Sequence, residues 1–149
     1  MAVIDIARTN VVTVDPEQSV ADVIRTMHGN TVSSVVVVEN DEPLGLVSDR
    51  DLAMAVLDES FDVENTPIET VVEDDIVTID GGEGVYDLVE LLSEKGMRRV
   101  TVVEDGKLAG IISISDVVVL LGMELQHVAN AIRSSSPAYE RSGLEYYHE

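Results

Sequence analysis

An α+β fold is the architecture this sequence predicts: two strand-helix-strand-strand-helix repeats packed with pseudo-two-fold symmetry. Three observations predict it. The chain repeats itself at an offset of 65 residues without a gap, with twelve identical pairs between residues 12–52 and 77–117. Among them are Val37-Val38-Glu39 with Val102-Val103-Glu104, Gly45 with Gly110, Ser48 with Ser113 and Asp51 with Asp116. Within each copy the hydrophobic period switches between that of a strand and that of a helix. Each copy also holds only roughly sixty residues, a size at which burial is marginal, so the copies are expected to pack on one another. Two copies of so long a repeat do not make an open array.

The elements follow in order. Residues 11–14 are β-branched and end at Asp15-Pro16, a short strand and its stop. Ser19 with Asp22 three residues on gives a capping-box signal, and Val20, Val23, Ile24 and Met27 then fall on one helical face. Residues 35–38 form a continuous buried strand, Asn40-Asp41-Glu42-Pro43 a turn, and residues 44–48 the partner strand. Ser48, with Asp51 three residues later, starts a second helix reaching about Leu57. The second copy repeats the plan: a strand at 76–79, a helical face of Val85, Leu88, Val89 and Leu92, and Gly96 as C-terminal cap. Residues 100–104 and 108–113 flank Asp105-Gly106, a hairpin turn, and a last helix of the repeat starts near residues 113–116. The predicted organisation is therefore repeat 1 at 3–57, a polar linker at 58–67, repeat 2 at 68–122, and a C-terminal helix and tail at 123–149. Leu125, Val128, Ala129 and Ile132 mark that helix, which stops near Ser134-Ser135-Ser136-Pro137. The tail at 138–149 is either a frayed end or a partner-docking segment.

Composition narrows the function. Hydrophobic residues make up 45% of the chain, with a single Phe and no Trp, so the core is aliphatic. Acidic residues number 29 against 9 basic ones, a net charge of −20, and only Lys95 and Lys107 are lysines. The acid is dispersed over both repeats, which with this apolar content argues against disorder. A dispersed acidic, lysine-poor surface resembles halophilic, haloarchaeal-like proteins that work in molar salt. There the Debye length is only ~3 Å and surface charges barely repel. In dilute buffer the same charge destabilises the fold. No basic stripe exists to neutralise a nucleic-acid backbone. Zero cysteines exclude disulfides and thiolate zinc sites. Residues 1–5 lack a charged, signal-like start, and the longest apolar runs fall far short of a membrane span, so a cytoplasmic location is expected.

Chemistry concentrates in Gly45-Leu46-Val47-Ser48-Asp49-Arg50-Asp51 and Gly110-Ile111-Ile112-Ser113-Ile114-Ser115-Asp116. Each is a strand running into a helix N-terminus, where unpaired N–H groups and the helix dipole suit a phosphate. The Ser either caps the helix or meets a phosphate oxygen. The Asp either closes the cap or accepts hydrogen bonds from a ribose diol. A glycine at a close-packed strand precedes both. His28, His127 and His148 are scattered, with no metal-ligand spacing. Gly81-Gly82-Glu83-Gly84 carries Glu where a P-loop needs Lys. No nucleophile, base or metal cluster suggests an enzyme.

These motifs resemble the CBS domain, the family named after cystathionine β-synthase. The resemblance rests on Val12-Thr13-Val14-Asp15-Pro16, Ser34-Val35-Val36-Val37-Val38 and residues 45–51 in repeat 1. In repeat 2 it rests on Arg98-Arg99-Val100-Thr101-Val102-Val103 and residues 110–116. It implies a stand-alone tandem pair, a homodimer, whose clefts bind an adenosyl ligand as effector: AMP, ADP, ATP, S-adenosylmethionine or NAD(H). It implies regulation of a partner protein that remains unnamed, and no required cofactor. Similarity to the gamma subunit of AMP-activated kinase assigns Asp116 to ribose, Ser113 and Ser115 to ribose or phosphate, and Arg98 and Arg99 to phosphate. In repeat 1 the corresponding ligand positions are Thr13, Ser48, Arg50 and Asp51. That repeat departs from the pattern, with Ser33 and Ser34 where repeat 2 has its arginines. Arg50 either supplies the missing charge or pairs with Asp49. A structural dimerisation module with vestigial clefts is the competing expectation.

Overall fold

The computed structural model describes residues 1–58, 60–72 and 75–135. The predicted tail at 138–149 lies outside the described residues. The chain divides into two compact units, Met1–Ile114 and the portion from Ser115 onward.

The first unit contains α1 (Val3–Ile6), β1 (Thr13–Val14), α2 (Val20–Asn30), β2 (Ser34–Glu39), β3 (Glu42–Ser48) and α3 (Asp49–Ala55). A 3₁₀ turn at Ile68–Thr70 follows, then β4 (Thr78–Asp80), α4 (Val85–Lys95), β5 (Arg99–Glu104) and β6 (Lys107–Ser113). The second unit is the helix α5 (Ile114–Ser135), whose first residue closes the first unit. Two three-stranded sheets form, β1-β2-β3 and β4-β5-β6, each with one parallel and one antiparallel pair. The two-copy α+β plan read from the sequence is the fold observed.

The pseudo-symmetry extends to individual hydrogen bonds. Val3 N–H donates to the Glu83 carbonyl at 2.8 Å, and Ile68 N–H, 65 residues later, donates to the Gln18 carbonyl at 2.8 Å. Ile4 bonds the Gly81 carbonyl as Glu69 bonds that of Pro16. The first residues of each repeat therefore dock on the other repeat, and Ile68 is fully buried in the core of repeat 1 with Val14, Val20, Val23, Met27, Val35, Val37, Val47 and Leu52. This crossing also explains the paired glycines. A Cβ on Gly45 would run into Val72 Cγ1, and one on Gly110 would lie 2.9 Å from the Arg8 carbonyl oxygen. Both glycines make room for the crossing segment.

The two hairpins also meet. Leu108 N–H donates to the Asp41 carbonyl at 2.8 Å, and Lys107 Nζ donates to the Asn40 carbonyl at 3.0 Å and pairs with Glu42 at 3.3 Å. The linker packs on α2 rather than standing clear of it. Val20 and Ala21 N–H donate to the carbonyls of Thr66 and Val63, while Phe61 and Val63 pack against the core of repeat 1.

Several local expectations change. Only Asn40 and Asp41 form the first hairpin turn, both at positive φ, and Glu42 and Pro43 belong to β3. Pro43 is tolerated because β3 is an edge strand and the ladder shifts register beside it, between Val37 and Val38. Ser19 Oγ accepts Asp22 N–H at 3.1 Å, but the reciprocal half of the expected capping box is missing. Asp22 instead pairs with Arg25 at 2.9 Å, and Arg25 also reaches Glu64 at 2.8 Å. Hydrogen bonding to Glu64 first, then to Asp22, raises the Arg25 pKa. Ile24 and Val89, placed on the buried faces by periodicity, are 40% and 38% exposed. The stripe buried on each helix is narrower than the apolar one. The strand expected at 76–79 is Thr78–Asp80, and α3 stops at Ala55 rather than near Leu57. No break occurs at Gly122, because α5 runs unbroken for 22 residues.

Candidate functional site

In repeat 1 the cap is the arrangement observed for Ser48 and Asp51. Ser48 N–H and Oγ both donate to Asp51 Oδ2 at 2.8 Å, and Ser48 Oγ accepts Asp51 N–H at 3.2 Å. This reciprocal box satisfies the start of α3 without any ligand. Asp49 and Asp51 both stand in the first turn of this seven-residue helix, so its own carboxylates already complement the dipole. Arg50 is exposed, and its link to Asp49 is through the backbone, N–H to Oδ1 at 2.8 Å. Thr13 is exposed on β1, beyond β2 from Ser48. Two strand spacings separate them by at least about 10 Å, so repeat 1 gathers Ser48 and Asp51 but not Thr13.

In repeat 2 the antiparallel ladder sets Arg99 directly opposite Ser113, a placement that puts their Cα atoms about 5 Å apart. Arg98 is exposed, and its carbonyl accepts Ile114 N–H at 2.8 Å, as the Ser33 carbonyl accepts Asp49 N–H at 2.9 Å. Ser115 and Asp116 lie in the first turn of α5, Ser115 exposed and Asp116 half-buried.

The contact that sequence reasoning missed crosses the repeats. Arg99 Nη1 donates to Ser33 Oγ at 3.2 Å. Ser33 is one of the two serines that replace the arginine pair in repeat 1, so the cation absent from that strand arrives from the other repeat. The substitution itself was visible in the sequence, but its spatial consequence was not. Next to this contact, Met27, His28, Thr31, Val32 and Ser33 line an open depression of about 490 Å³. Of its lining residues the motif had singled out only Ser33, as a departure from the pattern and not as a ligand position. Thr31 there adopts a left-handed backbone, φ 54°, a strained choice for a β-branched residue. Among the described residues no group of three or more His, Asp or Glu is arranged to hold a metal ion, and no helix is long and apolar enough to cross a membrane.

Known proteins share this fold. An uncharacterized protein of Methanopyrus kandleri is 30% identical over 115 residues, which cover 76% of this chain and 59% of the relative. The chain thus spans little more than half the length of that relative. The crystal structure of the CBS-domain containing protein ATU1752 from Agrobacterium tumefaciens superposes with a TM-score of 0.69 at 32% identity, covering 79% of this chain and 97% of that one. The CBS domain protein PAE2072 from Pyrobaculum aerophilum, solved in complex with AMP, has the same fold, with a TM-score of 0.70 at 23% identity over 78% of this chain and 89% of that one. The CBS domain family profile matches twice, at residues 3–58 and 65–122, the two repeats that the 65-residue offset marks out. The chain belongs to the CBS domain family and carries a tandem pair of its repeats.

Proposed function

We propose that this protein is a regulatory module that binds an adenosyl ligand (AMP, ADP, ATP, S-adenosylmethionine or NAD(H)), senses energy or metabolite state, and passes the signal to a partner protein. The observation that carries this reading is the Arg99–Ser33 contact. It is a single hydrogen bond from a guanidinium to a neutral hydroxyl. A phosphate or ribose-phosphate oxygen is a stronger acceptor for the same fork, because the bond becomes charge-assisted on both sides. A ligand phosphate that takes Arg99 therefore releases Ser33 and alters a link between the repeats. Such a ligand shifts the arrangement only by its differential affinity for the linked and released forms. Ser113 lies directly opposite Arg99 on the ladder, so a hydroxyl stands beside the guanidinium that would take the phosphate. The AMP carried by the Pyrobaculum protein supports the ligand class. The reading includes a homodimer working in the cytoplasm at high salt, and no catalytic step.

A second reading, a structural dimerisation module with vestigial clefts, has one observation in its favour. The Ser48–Asp51 box is already closed on itself. Calorimetric titration in molar KCl with AMP, ATP, S-adenosylmethionine and NADH separates the two. Saturable binding is expected, weakened at least tenfold in Asp116→Ala and in Arg99→Ala. Absence of binding by every ligand, with the native circular dichroism spectrum retained, selects the dimerisation module.

A further inference from the structure

We propose that Arg99 is one phosphate-binding cation shared by the two repeats, so that the chain holds a single phosphate-bearing adenosyl ligand tightly rather than two. This rests on the adenosyl-ligand reading above and adds a stoichiometry to it. At the 65-residue offset, Ser33 and Ser34 are the counterparts of Arg98 and Arg99. The duplication therefore supplies two equivalent strand starts but only one pair of arginines. The bond from Arg99 Nη1 to Ser33 Oγ at 3.2 Å shows that these strand starts face each other across the repeats. Ser34 stands opposite Ser48 on its ladder as Arg99 stands opposite Ser113 on the other. One guanidinium thus has a serine-bearing strand end on either side of it, Ser113 in its own repeat and Ser33 in the other.

Neither neighbouring arginine takes its place. Arg50 stands in the first turn of α3 between Asp49 and Asp51, so that turn is negative even with Arg50 counted. Arg98 is exposed, and it is Arg99 rather than Arg98 that reaches the other repeat. A phosphate engaged by Arg99 on one side therefore leaves the other side without a charge-assisted donor. Direct repulsion between two bound phosphates adds little to this exclusion in molar salt, where the Debye length is only ~3 Å. The missing hydrogen bond is a matter of contact, and screening does not restore it. From the strength of hydrogen bonds to charged groups, a second phosphate-bearing ligand binds at least about tenfold more weakly than the first.

Equilibrium dialysis of the full chain against labelled AMP in molar KCl counts the sites. The wild type is expected to take up one AMP per chain, with any second at least about tenfold weaker. Arg99→Ala is expected to leave no tight site, because both repeats lose the same cation. Ser34→Arg gives repeat 1 its own guanidinium at the counterpart of Arg99 and is expected to raise the count to two. Ser34→Gln, polar but uncharged, is expected to keep it at one. Should Ser34→Arg lose the native circular dichroism spectrum, Ser34→Lys replaces it with the same expectation. Four outcomes overturn the proposal while adenosyl binding stands: two AMP of equal affinity on the wild type, a tight site surviving in Arg99→Ala, a count of one in the folded Ser34→Arg or Ser34→Lys protein, or a count of two in Ser34→Gln. Absence of AMP binding overturns it as well, and uptake of S-adenosylmethionine, which carries no phosphate, then decides whether the adenosyl reading falls with it.

Discussion

Repeat 1 and repeat 2 place their backbones alike and distribute their chemistry differently. The ladders share one register, Ser34 facing Ser48 where Arg99 faces Ser113, and both shift register one residue after the middle of the strand. The crossing segments dock through hydrogen bonds 65 residues apart. Against that sameness stand Ser33-Ser34 for Arg98-Arg99, Val36 for Thr101, Thr31 for Gly96, and a 7-residue helix for a 22-residue one. Apart from Val36 and Thr101, the paired positions that fill the core or clear a path are alike in type. Positions at the strand starts and helix ends have diverged, and those are the ones where a ligand or a partner can be met.

The strongest test of the shared half of that comparison is the glycine pair. Gly45→Ala drives a methyl into Val72, itself packed on the repeat 1 core, and is expected to cost about 3 kcal/mol, the upper end for overpacking. Gly110→Ala meets a backbone oxygen at 2.9 Å, a smaller overlap, and is expected to cost about 2 kcal/mol. Urea unfolding in molar KCl measures both. Pairing Gly45→Ala with Val72→Ala sharpens the point. If Val72 is the obstacle, the double variant recovers part of the loss, and strict additivity would place the strain elsewhere.

The divergent half begins inside the sheets. Val36 and Thr101 occupy equivalent strand positions and both are fully buried, but the Thr101 hydroxyl has no hydrogen-bond partner. An unmade hydrogen bond in a core costs about 1–3 kcal/mol. Thr101→Val is therefore expected to raise stability by about 1 kcal/mol, and Val36→Thr to lower it by 1–2 kcal/mol. Thermal unfolding reads both signs. Loss of stability in Thr101→Val would mean that the hydroxyl is satisfied in solution and that the two sites are not equivalent.

Periodicity and turn chemistry carried most of the fold. The offset identities, the β-branched runs and Asp105-Gly106 placed both sheets and the second hairpin, and Ser48 with Asp51 gave the α3 cap. The crossing of the first residues of each repeat onto the other was not legible. Val3–Ile6 is too short to show a period, and none of its residues matches its counterpart at the 65-residue offset. Nor was the width of the buried stripe legible, because a 3.6-residue period places Ile24 beside Val23 without saying how far the opposing sheet reaches. For the candidate site, the motif named Arg99, Ser113 and Ser48 as residue types. The Arg99–Ser33 bond depends on how two repeats face each other, which no local pattern encodes. The depression beside it escaped for the same reason.

The smallest expected effect probes that depression. Both α2 and α4 end in a left-handed residue with a six-to-one backbone bond beyond it, Val32 N–H to Met27 at 3.1 Å and Met97 N–H to Leu92 at 3.0 Å. Repeat 2 uses Gly96 there, at φ 63°, and repeat 1 uses Thr31, at φ 54°. A left-handed β-branched residue costs roughly 1–2 kcal/mol, and the freedom glycine loses on folding returns about 0.5–1 kcal/mol of that. Thr31→Gly is thus expected to stabilise the protein by about 0.5 kcal/mol, and Gly96→Ala to destabilise it by about 1 kcal/mol. Nothing in the core requires a threonine at the end of α2, while its side chain lines the depression that reaches Ser33. If Thr31→Gly gains stability and also weakens AMP binding, the strain is held in place by the ligand site, and repeat 1 takes part in recognition despite its missing arginines. If stability rises and binding is unchanged, Thr31 is only a poor helix cap, and the recognition chemistry belongs to repeat 2.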